Sequence, residues 1–262
     1  MKTETRMVLS EFWICLFLGF FGLGAIPMLL MGVISNVFQF SFVFAFLVAI
    51  ALIIFFPISA HFNPAVTLAL VLFRGFPKKL LLPYTIAQTA GWGIGVLGVF
   101  AVYHNLLSGM LAEIAPYSPA LFYCNLAIPD YYITGVVMEI ALTFFLIVAV
   151  FAMLDERFPH RPSPMLFPWA VGFLVVFLFC FGGFTATCIN PARDFGPRVA
   201  GLIYALINGM DISPIFSGGY WLLYIISPLT GAALGGLFFD KVIVPLFGKT
   251  PKAEESTSQT PQ

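Results

Sequence analysis

Two asparagines carry the chemistry that this sequence displays most openly. Asn63 and Asn190 each precede Pro-Ala, in His61-Phe62-Asn63-Pro64-Ala65 and Cys188-Ile189-Asn190-Pro191-Ala192, an offset of 127 residues. An asparagine side chain caps a helix, and proline suits the first helical position because its missing N–H would go unpaired there anyway. Each tripeptide therefore opens a helix. One alone could be a simple cap, whereas two at a fixed period, inside apolar sequence, indicate paired helix starts. Arg193 follows Asn190 by three residues. Amide, guanidinium and backbone carbonyl groups together can exchange hydrogen bonds with a neutral hydroxylic solute. No HExxH, GxSxG or paired-carboxylate pattern occurs, so the sequence assigns no enzymatic reaction and no cofactor.

The elements that position these residues follow from composition. Of 262 residues, 60% are apolar and 9% charged, against roughly a quarter charged in an ordinary soluble domain. Twelve cations balance twelve acids, which leaves no basic surface for a nucleic acid. The four cysteines, at 15, 124, 180 and 188, lack the close spacing of a zinc or redox motif. Six apolar runs reach membrane-spanning length: Met7–Met31, Phe38–Pro57, Leu80–Tyr103, Tyr131–Leu154, Phe167–Phe184 and Tyr220–Leu246. The first carries Glu11 and is too long for the core of a signal peptide, so it reads as a retained helix. Two shorter stretches, Pro64–Phe73 and Pro191–Ala205, reach only about half-way across a bilayer.

Glu11 and Glu139 each open an apolar run, 128 residues apart, close to the period of the tripeptides. The chain thus reads as two repeats, 7–130 and 131–247, between a short cytoplasmic segment at 1–6 and a disordered cytoplasmic tail at 248–262. Three spans per repeat place the second in the opposite sense across the membrane. The expected fold is an all-α membrane protein of six transmembrane helices and two half-helices in inverted repeats. Ten of the twelve cations fall on one side of these spans, leaving Arg193 and Arg198 in the second half-helix. By the positive-inside rule both termini are cytoplasmic. Tyr117, Tyr123, Tyr131, Tyr132, Trp221 and Tyr224 are candidate interfacial anchors.

Half-helices entering from opposite faces meet by their N-termini. Irregular backbone before each start must line a water-filled cavity or be buried in protein, which makes Ser59, Ala60, His61, Phe62, Ala186, Thr187, Cys188 and Ile189 candidate pore residues. Each N-terminus contributes roughly half a positive charge, and Arg193 a full one. A unit charge about 5 Å away costs a passing cation about 3 kcal/mol at an effective dielectric near 20. Anions would have to desolvate with little to compensate them. Neutral polar solutes fit this centre best.

At this point the chain resembles the major intrinsic protein family, the aquaporins and glycerol facilitators, over nearly all of residues 6–246. Ser59-Ala60-His61-Phe62-Asn63-Pro64-Ala65-Val66-Thr67 and Asn190-Pro191-Ala192-Arg193-Asp194-Phe195-Gly196-Pro197-Arg198 match its two signature loops. The resemblance implies an aquaporin-like fold, a pore facing Asn63 and Asn190, and a narrow filter that includes Arg193. Asp194, Arg198 and the long stretch from Asn190 to Pro228 favour the glycerol-conducting branch; Ile225 agrees with it, and Tyr224 is like the water branch. Counted from the motifs, the other filter places fall at Val43, Leu178 and Thr187, a wide and apolar set, unless a slip of one residue brings Phe42, Phe44 or Phe179 into the lumen. The solutes implied are glycerol and related polyols with water, the alternative being a larger or more apolar neutral solute such as a protonated hydroxy acid. Family likeness also implies a homotetramer in the plasma membrane.

Several residues stay open to two readings. Glu11 and Glu139 are either a proton relay or, as in the family, braces for the two loops. Asp194 either meets solute or pairs with Arg198 at i,i+4. His61 either senses pH or holds its loop. Cys188 is either a site for thiol reagents or small packing. Gly91–Gly95 and Gly231–Gly235 offer small-residue faces, for contacts within a subunit or between subunits. A secondary transporter shares the architecture but requires a coupling-ion site, and the acids near the spans besides Glu11 and Glu139 are Asp194 and Asp240.

Overall fold

The computed structural model describes residues 2–114, 122–124 and 129–248. Eight helical segments carry the fold. Helix α1 spans Thr3–Leu30, widening in a π turn at Leu18–Gly22 and tightening in a 3₁₀ turn at Leu23–Ala25. Helix α2 is Val37–Phe55, α3 Pro64–Phe73 and α4 Leu81–Ile114, with non-helical backbone at Tyr103. The second half follows the same order: α5 is Tyr132–Leu154, α6 Phe167–Phe181, α7 Pro191–Ile207 and α8 Leu223–Phe238. A π turn and a last helical turn carry α8 on to Phe247.

Expected and observed boundaries differ at several places, the C-terminal ends of α4, α6 and α7 among them. Helix α4 continues past Tyr103, because residues 104–114 contain no proline or glycine pair to stop it. Helix α6 stops at Phe181 rather than Phe184, because Gly182-Gly183 loses the most backbone entropy in a helix and the chain turns into a 3₁₀ segment. That leaves α6 at 15 residues, shorter than the five helices long and apolar enough to span by length alone. Helix α7 runs two residues beyond Ala205. Of the expected interfacial tyrosines, Tyr123 and Tyr224 are buried instead, 4% and 1% exposed, while Tyr131 is open. Tyr117 and all but the first residue of the expected tail, 248–262, lie outside the described residues.

Packing repeats itself between the halves. Helix α1 lies on α4 as α5 lies on α8, and α2 lies on α6. Each half-helix rests on the last span of the other half, α3 on α8 and α7 on α4. Glycines permit the close approaches. A Cβ on Gly91 would strike the Phe12 carbonyl of α1, and one on Gly95 would lie 2.7 Å from the Leu16 carbonyl. In the other half, a Cβ on Gly231 would strike the Ile140 carbonyl, and one on Gly235 would lie 2.6 Å from the Phe144 carbonyl. Both glycine faces therefore serve contacts within the chain. Bulky apolar side chains such as Trp13, Phe21, Phe173 and Ile226 point outward, while Glu11, Glu139 and Asp194 are wholly buried. This inverts a soluble protein and suits a hydrocarbon surround.

Because backbone rather than a flexible tip opposes Gly231, Gly231→Val should force α8 off α5. The expected loss is about 1–3 kcal/mol of stability, read as a lower melting temperature in detergent, whereas Gly183→Ala, which meets nothing within 4 Å, should melt like the parent.

Candidate functional site

The two half-helix starts are joined by reciprocal bonds. Asn63 caps α3 by accepting from the Ala65 N–H at 2.8 Å, and its Nδ2 donates to the Ile189 carbonyl at 2.8 Å. Asn190 caps α7 through the N–H groups of Ala192 and Arg193, and its Nδ2 donates to the Phe62 carbonyl at 2.8 Å. Each asparagine thus holds the carbonyl that precedes the other. A primary amide has two N–H donors, so one on each residue remains for a guest in the cavity that both side chains line.

Holding those carbonyls in place requires unusual backbone. Phe62 and Ile189, the residues before the two asparagines, have φ of 41° and 45°, and Ala186 and Thr187 have φ of 60° and 45°. Left-handed backbone costs an L-residue roughly 1–2 kcal/mol, and is rarest for β-branched types such as Ile and Thr. The carboxylates offset this. Glu11 accepts from the N–H groups of His61 and Phe62 at 2.8 and 2.7 Å, from Ser59 Oγ at 2.6 Å and from Gln88 Nε2 at 2.8 Å. Glu139 accepts from the N–H groups of Cys188 and Ile189 at 2.9 and 2.7 Å and from Thr185 Oγ1 at 2.6 Å. Equivalent acids in the two halves thus fasten equivalent dipeptides.

A narrow cavity of about 80 Å³ runs between these loops and the helices around them. On that measure one water needs about 10–15 Å³, so a short single file fits. One wall is polar: Ala60, His61, Phe62, Asn63, Thr187, Cys188, Ile189, Asn190 and Arg193. The rest of the lining is apolar and comes mostly from stripes spaced by four, Phe44-Val48-Leu52 on α2 and Phe167-Val171-Val175-Phe179 on α6, completed by Leu18, Val66, Trp92, Leu146 and Val150. Arg193 is 6% exposed and sits where α7 begins, at its positive end.

Placement separates the sequence candidates. Thr187 lines the cavity, whereas Val43 and Leu178 do not; their neighbours Phe44 and Phe179 do, with ring centroids 5.1 Å apart. A single residue turns a helix by about 100°, which sends Val43 outward at 39% exposure and Leu178 into a cluster with Leu142, Leu146, Leu174 and Ile189. Phe42 also faces outward, at 43% exposure. Ser59 does not line the cavity but joins the Glu11 brace, with Tyr84 Oη 2.9 Å away. Ala186 packs beside Cys124, Cys188 and Tyr224 rather than on the lumen. The His61 ring lies 3.2 Å from Thr67 Oγ1 and packs on Phe76 and Tyr84. Asp194 is paired with Arg198 at 2.7 Å, both buried.

Motif reading misses Gln88, Ser10, Thr185 and Cys124. Ser10 Oγ donates to the Ser59 carbonyl at 2.7 Å. Nothing in their spacing marks them, because each acts across the fold. The two ring positions are reached by the one-residue slip that brings Phe44 and Phe179 to the cavity, but the neighbouring registers are apolar by fours as well, so spacing alone does not choose between them.

Comparison with known proteins places this geometry among related chains. The sequence pattern described as "Major intrinsic protein" matches residues 1–239. An aquaporin of Laccaria bicolor is 37% identical over 194 residues, covering 69% of this chain and 54% of its own, so the chain spans about half the length of that relative. The glycerol uptake facilitator protein of Shigella flexneri is 30% identical over 241 residues, 86% of this chain and 83% of that one. Among solved structures, the aquaglyceroporin from Plasmodium falciparum superposes with a TM-score of 0.82 at 23% identity, covering 93% of this chain and 98% of its own.

Replacing Glu139 by Gln leaves one acceptor oxygen where two served, so either the Cys188 or the Ile189 N–H loses its partner. The expected cost is about 1–3 kcal/mol, visible as a lower melting temperature in detergent; equal melting of the two proteins would refute the brace.

Proposed function

This chain belongs to the major intrinsic protein family, and from that premise we propose that it is a passive channel for small neutral polar solutes, glycerol and related polyols with water. The observation that carries the reading is the reciprocal bonding of Asn63 and Asn190 above a cavity with one polar and one apolar wall. A polyol presents hydroxyls along one edge and C–H groups along the other. Its hydroxyls exchange bonds with the free amide N–H groups, Arg193 and the loop carbonyls, while its carbon edge lies on Val48, Leu52, Val171 and Val175. Both costs of leaving water are thereby offset.

Charge selection follows from the same parts. Two half-helix N-termini and Arg193 make the centre positive, which opposes hydronium and metal cations. Anions meet a wall with one guanidinium and a long apolar face. Glu11 and Glu139 are occupied by loop N–H groups, which favours bracing over a proton relay and so a pore over a coupled carrier. In the filter, Phe44, Phe179, Thr187 and Arg193 set the width; the two rings favour glycerol over bulkier solutes. Ten cations on one side support a cytoplasmic position for both termini, and the family relation supports a homotetramer in the plasma membrane.

Stopped-flow light scattering of proteoliposomes given water, glycerol, a five-carbon polyol and lactic acid tests the reading. Glycerol and water should permeate without saturation and without response to a sodium or proton gradient. Replacing Phe44 and Phe179 together by Ala should raise five-carbon polyol flux relative to glycerol by about tenfold, as expected when a filter contact worth about 1.4 kcal/mol is removed. Gradient-driven, saturable uptake would instead indicate a carrier.

A further inference from the structure

Arg193 is held from outside its own half-helix. Its Nη1 donates to the Phe122 carbonyl at 3.4 Å and lies 3.0 Å from Cys124 Sγ, while Nε is buried without a partner. A carbonyl at 3.4 Å is beyond the usual range for a strong N–H···O bond. A sulfur at 3.0 Å, although a weak acceptor by type, is the nearer of the two. The guanidinium therefore rests chiefly on a thiol.

That thiol has little freedom. The Cys124 N–H donates to Asp194 Oδ1 at 2.8 Å, and the Cys124 carbonyl accepts from Arg198 Nη2 at 2.5 Å. Asp194 and Arg198 pair with each other at 2.7 Å, their side chains no more than 3% exposed. Arg198 also donates to the Ile215 carbonyl at 2.6 Å and lies over the Tyr123 ring, 4.3 Å from its centroid. One ion pair on α7 thus grips both backbone polar groups of Cys124. The side chain between them, wholly buried, reaches Arg193 on the same helix. The loop segment closes a ring from Arg198 and Asp194 back to Arg193.

We infer that Cys124 is a positioning residue for solute selection: its sulfur, fixed by the Asp194–Arg198 pair, sets where the Arg193 guanidinium stands in the lumen. The inference rests on the reading of the chain as a solute channel with Arg193 in its filter. Without an acceptor at residue 124, Nη1 keeps only the long bond to Phe122 and Nε remains unpartnered. The guanidinium is then free to swing into the cavity it lines and narrows the passage, which obstructs glycerol more than water. A serine hydroxyl keeps an acceptor on a shorter stem, whereas alanine removes it.

The test compares the parent chain, Cys124→Ala and Cys124→Ser in proteoliposomes, with flux normalised to incorporated protein. Water and glycerol permeabilities are read on the same vesicles. Cys124→Ala should raise the water-to-glycerol ratio at least about threefold, the size of effect expected from losing one weak hydrogen bond, and Cys124→Ser should stay near the parent ratio. A loss of folding alone would lower both fluxes together and leave the ratio unmoved. If Cys124→Ala is not recovered folded, Arg198→Lys, which drops the grip on the Cys124 carbonyl, should raise the ratio in the same direction. An unchanged ratio in Cys124→Ala or in Arg198→Lys overturns the inference, and so does a serine variant as altered as the alanine one. Absence of glycerol and water flux above protein-free vesicles in the parent chain would overturn the channel reading instead.

Discussion

Everything in this molecule is arranged around the tie between two helix starts. Asn63 holds the Ile189 carbonyl and Asn190 the Phe62 carbonyl, so neither half can set its loop without the other. An unpaired backbone group in a hydrocarbon surround costs several kcal/mol, and these loops carry many such groups. The crossed asparagine bonds and the two carboxylates satisfy them from within the protein. That is the condition for irregular backbone at this depth.

The buried acids make sense on the same terms. A carboxylate inside a span is expensive, but each one here receives two backbone N–H groups and at least one hydroxyl, as a tight anion site would. They offset the left-handed backbone at Phe62, Ile189 and the residues near it. Glycine plays a part in the support: the helices bearing Glu11 and Glu139 lie against α4 and α8 at Gly91 and Gly231. Close packing of backbones fixes where each carboxylate stands, and each carboxylate fixes its loop.

The lumen then divides by origin. Its polar wall comes from loops and half-helix starts, whose carbonyls and N–H groups are not spent in helices. Its apolar lining comes mostly from regular helices α2 and α6, whose backbone groups are spent. Arg193 belongs to the first wall, and its guanidinium also meets a loop segment beyond it, at the Phe122 carbonyl and Cys124 Sγ.

Much of this was legible in the chain itself. Paired Asn-Pro-Ala tripeptides at one offset, apolar runs of spanning length and glutamates at nearly the same offset defined the elements, because capping, proline geometry and hydrocarbon thickness are local constraints. The start of each half-helix, at Pro64 and Pro191, needed nothing more. What the sequence could not decide was rotation and reach. Counting from a motif placed Val43 and Leu178 in the filter, yet one residue of slip turns a helix face by about 100°, and only packing of α2 on α6 determined that Phe44 and Phe179 face the lumen. Ser59, Gln88 and Cys124 likewise acquire their roles across 48, 77 and 69 residues of separation. Local spacing writes the elements of this protein; contacts between segments distant in the chain, which no spacing encodes, choose the side chains that line the cavity.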